Sequence, residues 1–266
     1  MTLLWLMIKA HLRGRLFKME KTGLANLQIL LRFFYRRFDH IFVLNTDQQK
    51  WLTGHEMQFE PSRVFITAHW ADEIFSGSKS NNQQLFNLPG PGPVLLFTGR
   101  ISREKGVFEL PAIFRKAKES IPELQMVIAG TGPAEEELKG RFPEAIYTGW
   151  VDHSGLPSVY AACDLLLLPS KFDTFSCVVI ESLSCGLPVI AYNTKGPKDI
   201  LQDSVNGFLV ETAEEMSERI VDFFSSSDLR LTFRNAALDR AKHYSAGRIL
   251  EQFVRDAGLA QIEYPI

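Results

Sequence analysis

The sequence has little cysteine, no long uninterrupted apolar run and almost no excess of charge. Its cysteines, Cys163, Cys177 and Cys185, cannot all pair with one another, and none sits in a CxxC arrangement. A disulfide scaffold and a structural zinc site are therefore not expected, and a reducing cytosol suits the chain. No uncharged stretch approaches the ~18–20 apolar residues that a membrane span needs. The opening MTLLWLMIK is apolar but short, without a basic leader or a small-residue cleavage site, so no signal peptide is expected. A formal net charge of −2 over 266 residues argues against a general nucleic-acid binder. What remains is a globular chain, 45% hydrophobic and 23% charged, long enough for one large domain or two small ones.

The charge is unevenly spread. Residues 1–45 hold eight Lys/Arg against Glu20 and Asp39, a net of +6, which leaves −8 for the remainder. A basic, aromatic leader such as KAHLRGRLFK followed by LQILLRFFYRRF suits peripheral contact with an anionic membrane surface. It equally suits a helix whose apolar face packs on a domain while its arginines stay solvated.

From residue 40 onward, short β-rich runs alternate with helical patterns. HIFVLN (40–45) and VFITA (64–68) read as strands, and TDQQKWL opens a helix with Thr46 as its N-cap. The Ser, Asn, Gly and Pro content of residues 76–93 reads as a linker. Beyond it the alternation becomes regular: VLLFTG, LQMVIAG, AIYTG, DLLLLPS, PVIAY and GFLV as strands, with helical patterns between them. Continuous apolar strands separated by helices predict an α/β fold, a doubly wound parallel sheet covered on both faces. Ligands in such folds bind beyond the carboxyl ends of the strands. The tail from Ala213 to Leu259 is helical in pattern. The expected domains are 1–75, a linker at 76–93, a doubly wound domain at 94–245, and a C-terminal helix and tail at 246–266.

Three clusters fall in loops after strands. GRISREKG (99–106) places Arg100, Arg103 and Lys105 just after Gly99. Basic residues on a strand-to-helix loop suit a diphosphate, since a helix N-terminus adds backbone N–H groups and dipole. A solvated charged loop is the plain alternative. GTGP, from Gly130, lacks the GxGxxG spacing and reads first as a tight turn. The third cluster, PSKFDTFSCVVIESLSCGLPVIA (169–191), holds Asp173 in a loop and Glu181 eight positions on, inside a helix. Both carboxylates can face one groove, with free helix N–H groups between them. The alternative makes Asp173 a helix cap and Glu181 a solvated residue, but Glu181 lies in an apolar stretch where an unpartnered acid is rare.

The third cluster resembles the acidic motif of retaining family 4 glycosyltransferases of the GT-B fold (glycosyl transferases group 1), two acids flanking seven residues. GRISREKG resembles that family's diphosphate loop. GTGP, YTGWV and AACDLLLLPS follow in its usual order, and LPVIAYNTKGPKDIL and NGFLV resemble the strand, loop and hairpin after it. The resemblance covers roughly residues 94–258, and DTFSCVVIE with KGPKDI looks most like mannosyl- and glycolipid-forming members. It implies a complete donor-binding Rossmann-like domain behind a partial N-terminal one, whose early strands and acceptor loop are missing. It implies transfer of a sugar from a UDP- or GDP-sugar onto an acceptor it does not identify, with a lipid or polysaccharide precursor as the suggested class, and with no metal or cofactor. By the same resemblance Arg100 and Lys105 grip the diphosphate, and Asp173 contacts the transferred sugar beside Phe175 and Ser176. Glu181 holds the ribose, while Gly149, Trp150 and Val151 border the base. Asp173 stands where Glu is commoner, and Ser176 where Gly is frequent. His69 lies in the hinge stretch and receives no catalytic role. The expected setting is cytoplasmic, with peripheral contact at the inner face of a membrane. A non-catalytic nucleotide-sugar-binding subunit completed by a separate acceptor half is the alternative. A nicotinamide-dependent dehydrogenase lacks its GxGxxG.

Overall fold

Runs such as Val94–Thr98 and Leu165–Leu168 carry no solvated face, so they form stable strands only inside a sheet covered on both sides. The computed structural model describes residues 21–76 and 91–259, with side chains from residue 28 onward. Two compact units divide these residues: a smaller one of residues 21–43 and 47–66, and a larger one of residues 44–46 and 67–259. The division falls after Ile66, upstream of the linker expected at 76–93, so residues 67–75 belong with the larger unit. Residues 77–90 of that linker, the leader at 1–20 and the tail from 260 lie outside the described residues.

The larger unit is built on six parallel strands: β3 (Val94–Thr98), β4 (Gln125–Ala129), β5 (Ile146–Gly149), β6 (Leu165–Leu168), β7 (Val189–Tyr192) and β8 (Gly207–Val210). Their spatial order is β5-β4-β3-β6-β7-β8, with Leu95 of β3 paired to Met126 on one side and Leu165 on the other. The doubly wound reading therefore holds. The expected hairpin at NGFLV does not form, because β8 pairs in parallel with β7, Ile190 opposite Phe208.

Successive strand residues point to opposite faces, and this divides the core in two. Leu95, Phe97, Met126, Ile128 and Leu165 bury one face against α3 (Leu110–Lys118), α4 (Glu135–Arg141) and α8 (Ala213–Ser225). Leu96, Val127, Leu166 and Val189 bury the other against α5 (Leu156–Ala161), α6 (Cys177–Ser184) and α9 (Ser227–Ala241), with Phe75 among them. Each such fully buried side chain contributes roughly 1.5–3 kcal/mol. Pro111 lies in the first turn of α3, where its missing N–H costs nothing. Thr212 and Ser226 cap α8 and α9, each side chain accepting from a backbone N–H three residues on. The short α7 (Pro197–Ile200) and the final α10 (Ala246–Asp256) complete this unit.

The smaller unit has α1 (Lys21–Tyr35), β1 (Ile41–Val43), most of α2 (Thr46–Thr53) and β2 (Val64–Ile66), the two strands pairing in parallel. Ile41, Leu52, Met57, Phe59 and Val64 form its core, with Leu31 and Tyr35 of α1 packed against them. Arg63 donates to the backbone carbonyls of Arg36, Phe38 and Asp39, closing the turn after α1. Thr46 is not the cap expected of it: it is the first helical residue of α2. Its hydroxyl donates to Asp199 Oδ1 at 2.8 Å and its N–H to Oδ2 at 2.7 Å, so a carboxylate 153 positions away does the capping.

Candidate functional site

Strand order reverses between β3 and β6, and the crevice beyond their carboxyl ends is where a doubly wound sheet binds ligands. Three strands on one side of that point end in glycine. Gly99 follows β3, Gly130 follows β4 and Gly149 closes β5, all with positive φ. Gly130 donates to the Gly149 carbonyl at 2.8 Å, and a Cβ on Gly130 would lie 2.1 Å from the Gly99 carbonyl oxygen. Only glycine fits so close an approach, which makes GTGP the tight turn it reads as. Over this floor opens a cavity of about 310 Å³ lined by Thr98, Gly99, Arg100, Gly130, Trp150 and Val151 among others. Arg100 is exposed and has no hydrogen-bond or ion-pair partner among the described residues. Trp150 is 73% exposed.

The basic loop separates its cations. Arg103–Lys105 form a single 3-10 turn ending on Gly106, where a Cβ would meet the Pro169 carbonyl oxygen at 1.9 Å. This contact locks the β3 loop against the β6 loop. One residue of the turn points each way: Arg103 pairs with Glu137 at 2.5 Å and lies over the Phe108 ring. Lys105 pairs instead with Asp173 at 3.0 Å, the carboxylate side chain only 10% exposed. Two of the residues named from sequence, Lys105 and Asp173, are thus brought together, and Arg103 is drawn away.

The acidic loop is held by its backbone. The Asp173 carbonyl accepts from the Gly196 N–H at 3.1 Å, and the Thr174 carbonyl from Asn45 Nδ2 at 2.6 Å. Phe175 is buried, edge-on to His69 and to Tyr244. Asp173 does not cap α6. Ser176 occupies the cap position with φ +73°, makes no side-chain cap bond, and its buried hydroxyl has no partner. A non-glycine residue held there costs on the order of 1–3 kcal/mol, a strain that gathers at functional loops. The Val179 N–H is taken by the Ser176 carbonyl, and no side chain caps the start of α6, an arrangement that suits an anion there.

Glu181 is neither solvated nor alone. It accepts from the Tyr160 hydroxyl at 2.8 Å. Burial raises its carboxyl above the ordinary range, opposed by that hydrogen bond and by nearby His153. Tyr160 went unnoticed in the sequence because an aromatic at helical spacing reads as core. Gly106 and Gly196 lie inside GRISREKG and KGPKDI without a role of their own there, and Asn45 carries no motif, their parts being set by contacts across the chain. Among the described residues no helix is long and apolar enough to cross a membrane.

The family model described as Glycosyl transferases group 1 matches residues 78–240. A GDP-mannose-dependent alpha-mannosyltransferase of Corynebacterium glutamicum is 28% identical over 86% of this chain and 60% of its own length. An alpha-D-kanosaminyltransferase of Streptomyces kanamyceticus is 29% identical over 80% of the chain and 60% of its own. The chain thus spans about 60% of the length of these curated relatives. Among solved structures, sucrose-phosphate synthase of Thermosynechococcus elongatus aligns with a TM-score of 0.76 at 21% identity, over 96% of this chain and 66% of that one. Anabaena HepE in complex with UDP aligns at 0.77 and 19%, over 90% and 68%. These likenesses show the fold.

Proposed function

The chain belongs to the glycosyl transferases group 1 family, and from that premise we propose that it is the donor-binding part of a retaining glycosyltransferase acting on a nucleoside-diphosphate sugar. Arg100 in the wall of the switch-point cavity, Lys105 paired with Asp173, and a start of α6 that no side chain caps carry this reading. Arg100 offers a planar fork and Lys105 a compact charge to the diphosphate, and the α6 N–H groups add their dipole. Asp173 faces the transferred sugar beside the backbone of Phe175 and Ser176, with Lys105 paired to its carboxylate. Glu181 accepts from the ribose, and the segment Gly149–Val151 borders the base.

In transfer, the bond from the anomeric carbon to the diphosphate oxygen breaks on the face where the acceptor hydroxyl bonds. The acceptor proton passes to the departing phosphate oxygen. Negative charge grows on the leaving diphosphate, and fixed cations and dipoles stabilise it without reorganising. No metal is required in this scheme. The acceptor is an amphiphile presented at the inner, cytoplasmic face of a membrane, a lipid or polysaccharide precursor. Exposed Phe33 and Phe34 beside Arg36 and Arg37 on and just after α1 support that contact.

A second reading, a nucleotide-sugar-binding subunit completed by a separate acceptor half, is favoured by the two-stranded sheet of the smaller unit. Incubating the chain with UDP- and GDP-sugars in EDTA separates the two. Release of nucleoside diphosphate, lost in Lys105→Ala, is the expected result for a competent catalyst. Donor binding without turnover supports the subunit reading, and a strict need for a divalent cation overturns the metal-free scheme.

A further inference from the structure

Tyr160 is a large polar side chain that a bland core does not explain. It is 1% exposed on α5, and burial together with the Glu181 charge holds its phenol well above the usual range, so it stays a donor. Its hydroxyl reaches Glu181 Oε2 across the gap between α5 and α6. Thr98, the last residue of β3 and part of the cavity lining, lies beside the same phenol. The Phe75 ring, itself fully buried, stands edge-on to the Tyr160 ring and fixes its plane. Tyr160 therefore joins the cavity wall at the end of β3 to the carboxylate on α6. With Oε2 occupied, Glu181 Oε1 has no hydrogen-bond partner among the described residues.

We propose that Tyr160 is a positioning residue for nucleotide recognition: its hydroxyl binds Glu181 Oε2 and thereby presents Oε1, in one orientation, to the donor's ribose hydroxyls. The inference rests on the assignment of Glu181 to the ribose. The physical need for such a residue is plain. A carboxylate in a half-buried, largely apolar stretch either takes up a proton or swings to find donors, and both end its use as an acceptor. One charge-assisted hydrogen bond from a rigid ring prevents both at little entropic cost. The other groups facing Glu181 are His153, from the segment between β5 and α5, and the thiols Cys177 and Cys185 at the two ends of α6.

The test uses the full chain and calorimetric titration with UDP and GDP across pH, with inorganic pyrophosphate as the ribose-free probe. Tyr160→Phe keeps the ring and removes one hydroxyl. It should weaken the bound nucleoside diphosphate about tenfold or more, the effect of losing a hydrogen bond to a charged group, and leave pyrophosphate binding unchanged. Loss of the donor also raises the Glu181 carboxyl, so binding should begin to fail at a higher pH as the solution is acidified. Replacing Tyr160 with 3-fluorotyrosine, a stronger donor of nearly the same shape, should move that failure to lower pH.

Equal losses for nucleoside diphosphate and pyrophosphate would mark Tyr160 as merely structural and overturn the proposal. So would an unmoved acid limb in both tyrosine variants. Glu181→Gln separates the two levels. If it leaves nucleoside diphosphate binding intact, the ribose assignment itself falls. If it weakens binding while Tyr160→Phe does not, only the role of Tyr160 falls.

Discussion

The larger unit carries six parallel strands buried on both faces, whereas the smaller carries two strands of three residues and leaves Phe33, Phe34 and Phe38 more than half exposed. Both are built by the same alternation of strand and helix. The difference is the number of strands, and it decides where chemistry can reside. A parallel sheet is stable when helices cover both its faces, and only a sheet with neighbours on both sides of its central strand has a switch point. In the larger unit, β3 and β6 have those neighbours, so their loops are wedged together through Gly106 and Pro169. The smaller unit, among the described residues, has no such crevice.

The strongest way to break the comparison is Gly106→Ala. Its new methyl meets the Pro169 carbonyl, and its φ of +71° disfavours any side chain. The expected cost is about 2–4 kcal/mol, seen in a melt as a fall of roughly 5–15 °C. A silent Gly106→Ala would mean the two loops are not locked. Next in size is the contrast within the basic turn. Lys105→Ala should weaken nucleoside diphosphate binding roughly tenfold to a hundredfold. Arg103→Ala, whose partner is the exposed Glu137, should leave titration curves unchanged. Equal losses in the two would remove the division of labour that the turn imposes. The smallest effect belongs to the smaller unit. Phe33→Ser, on the exposed side of α1, should change stability by no more than about 0.5 kcal/mol in denaturant titration, and leave nucleotide binding untouched.

Strands β3 to β8 were legible because each is a short apolar run between turn residues, a local property. The strand of residues 94–98 and the helix starting at Leu110, with Pro111 in its first turn, need no distant information. Contacts between distant residues were not legible. Thr46 had the composition of an N-cap, yet its helix start is bound by Asp199, far along the chain. Arg103 and Lys105 are equivalent as letters; only the 3-10 turn sends one to Glu137 and the other to Asp173. Glu181 was noticed as an acid among apolar neighbours, but its partner Tyr160 lies 21 positions earlier on another helix. Ser176 was visible as a residue standing where glycine is frequent, while its left-handed backbone and unpartnered hydroxyl belong to the folded loop.

The proposed function requires the crevice between β3 and β6 to bind a nucleoside diphosphate in this chain. Calorimetric titration with UDP and GDP in EDTA, for the parent and for Arg100→Ala, tests it most directly. One of the two nucleotides should bind, and removing Arg100 should weaken it by about tenfold. Failure to bind either nucleotide, or binding indifferent to Arg100, would contradict it.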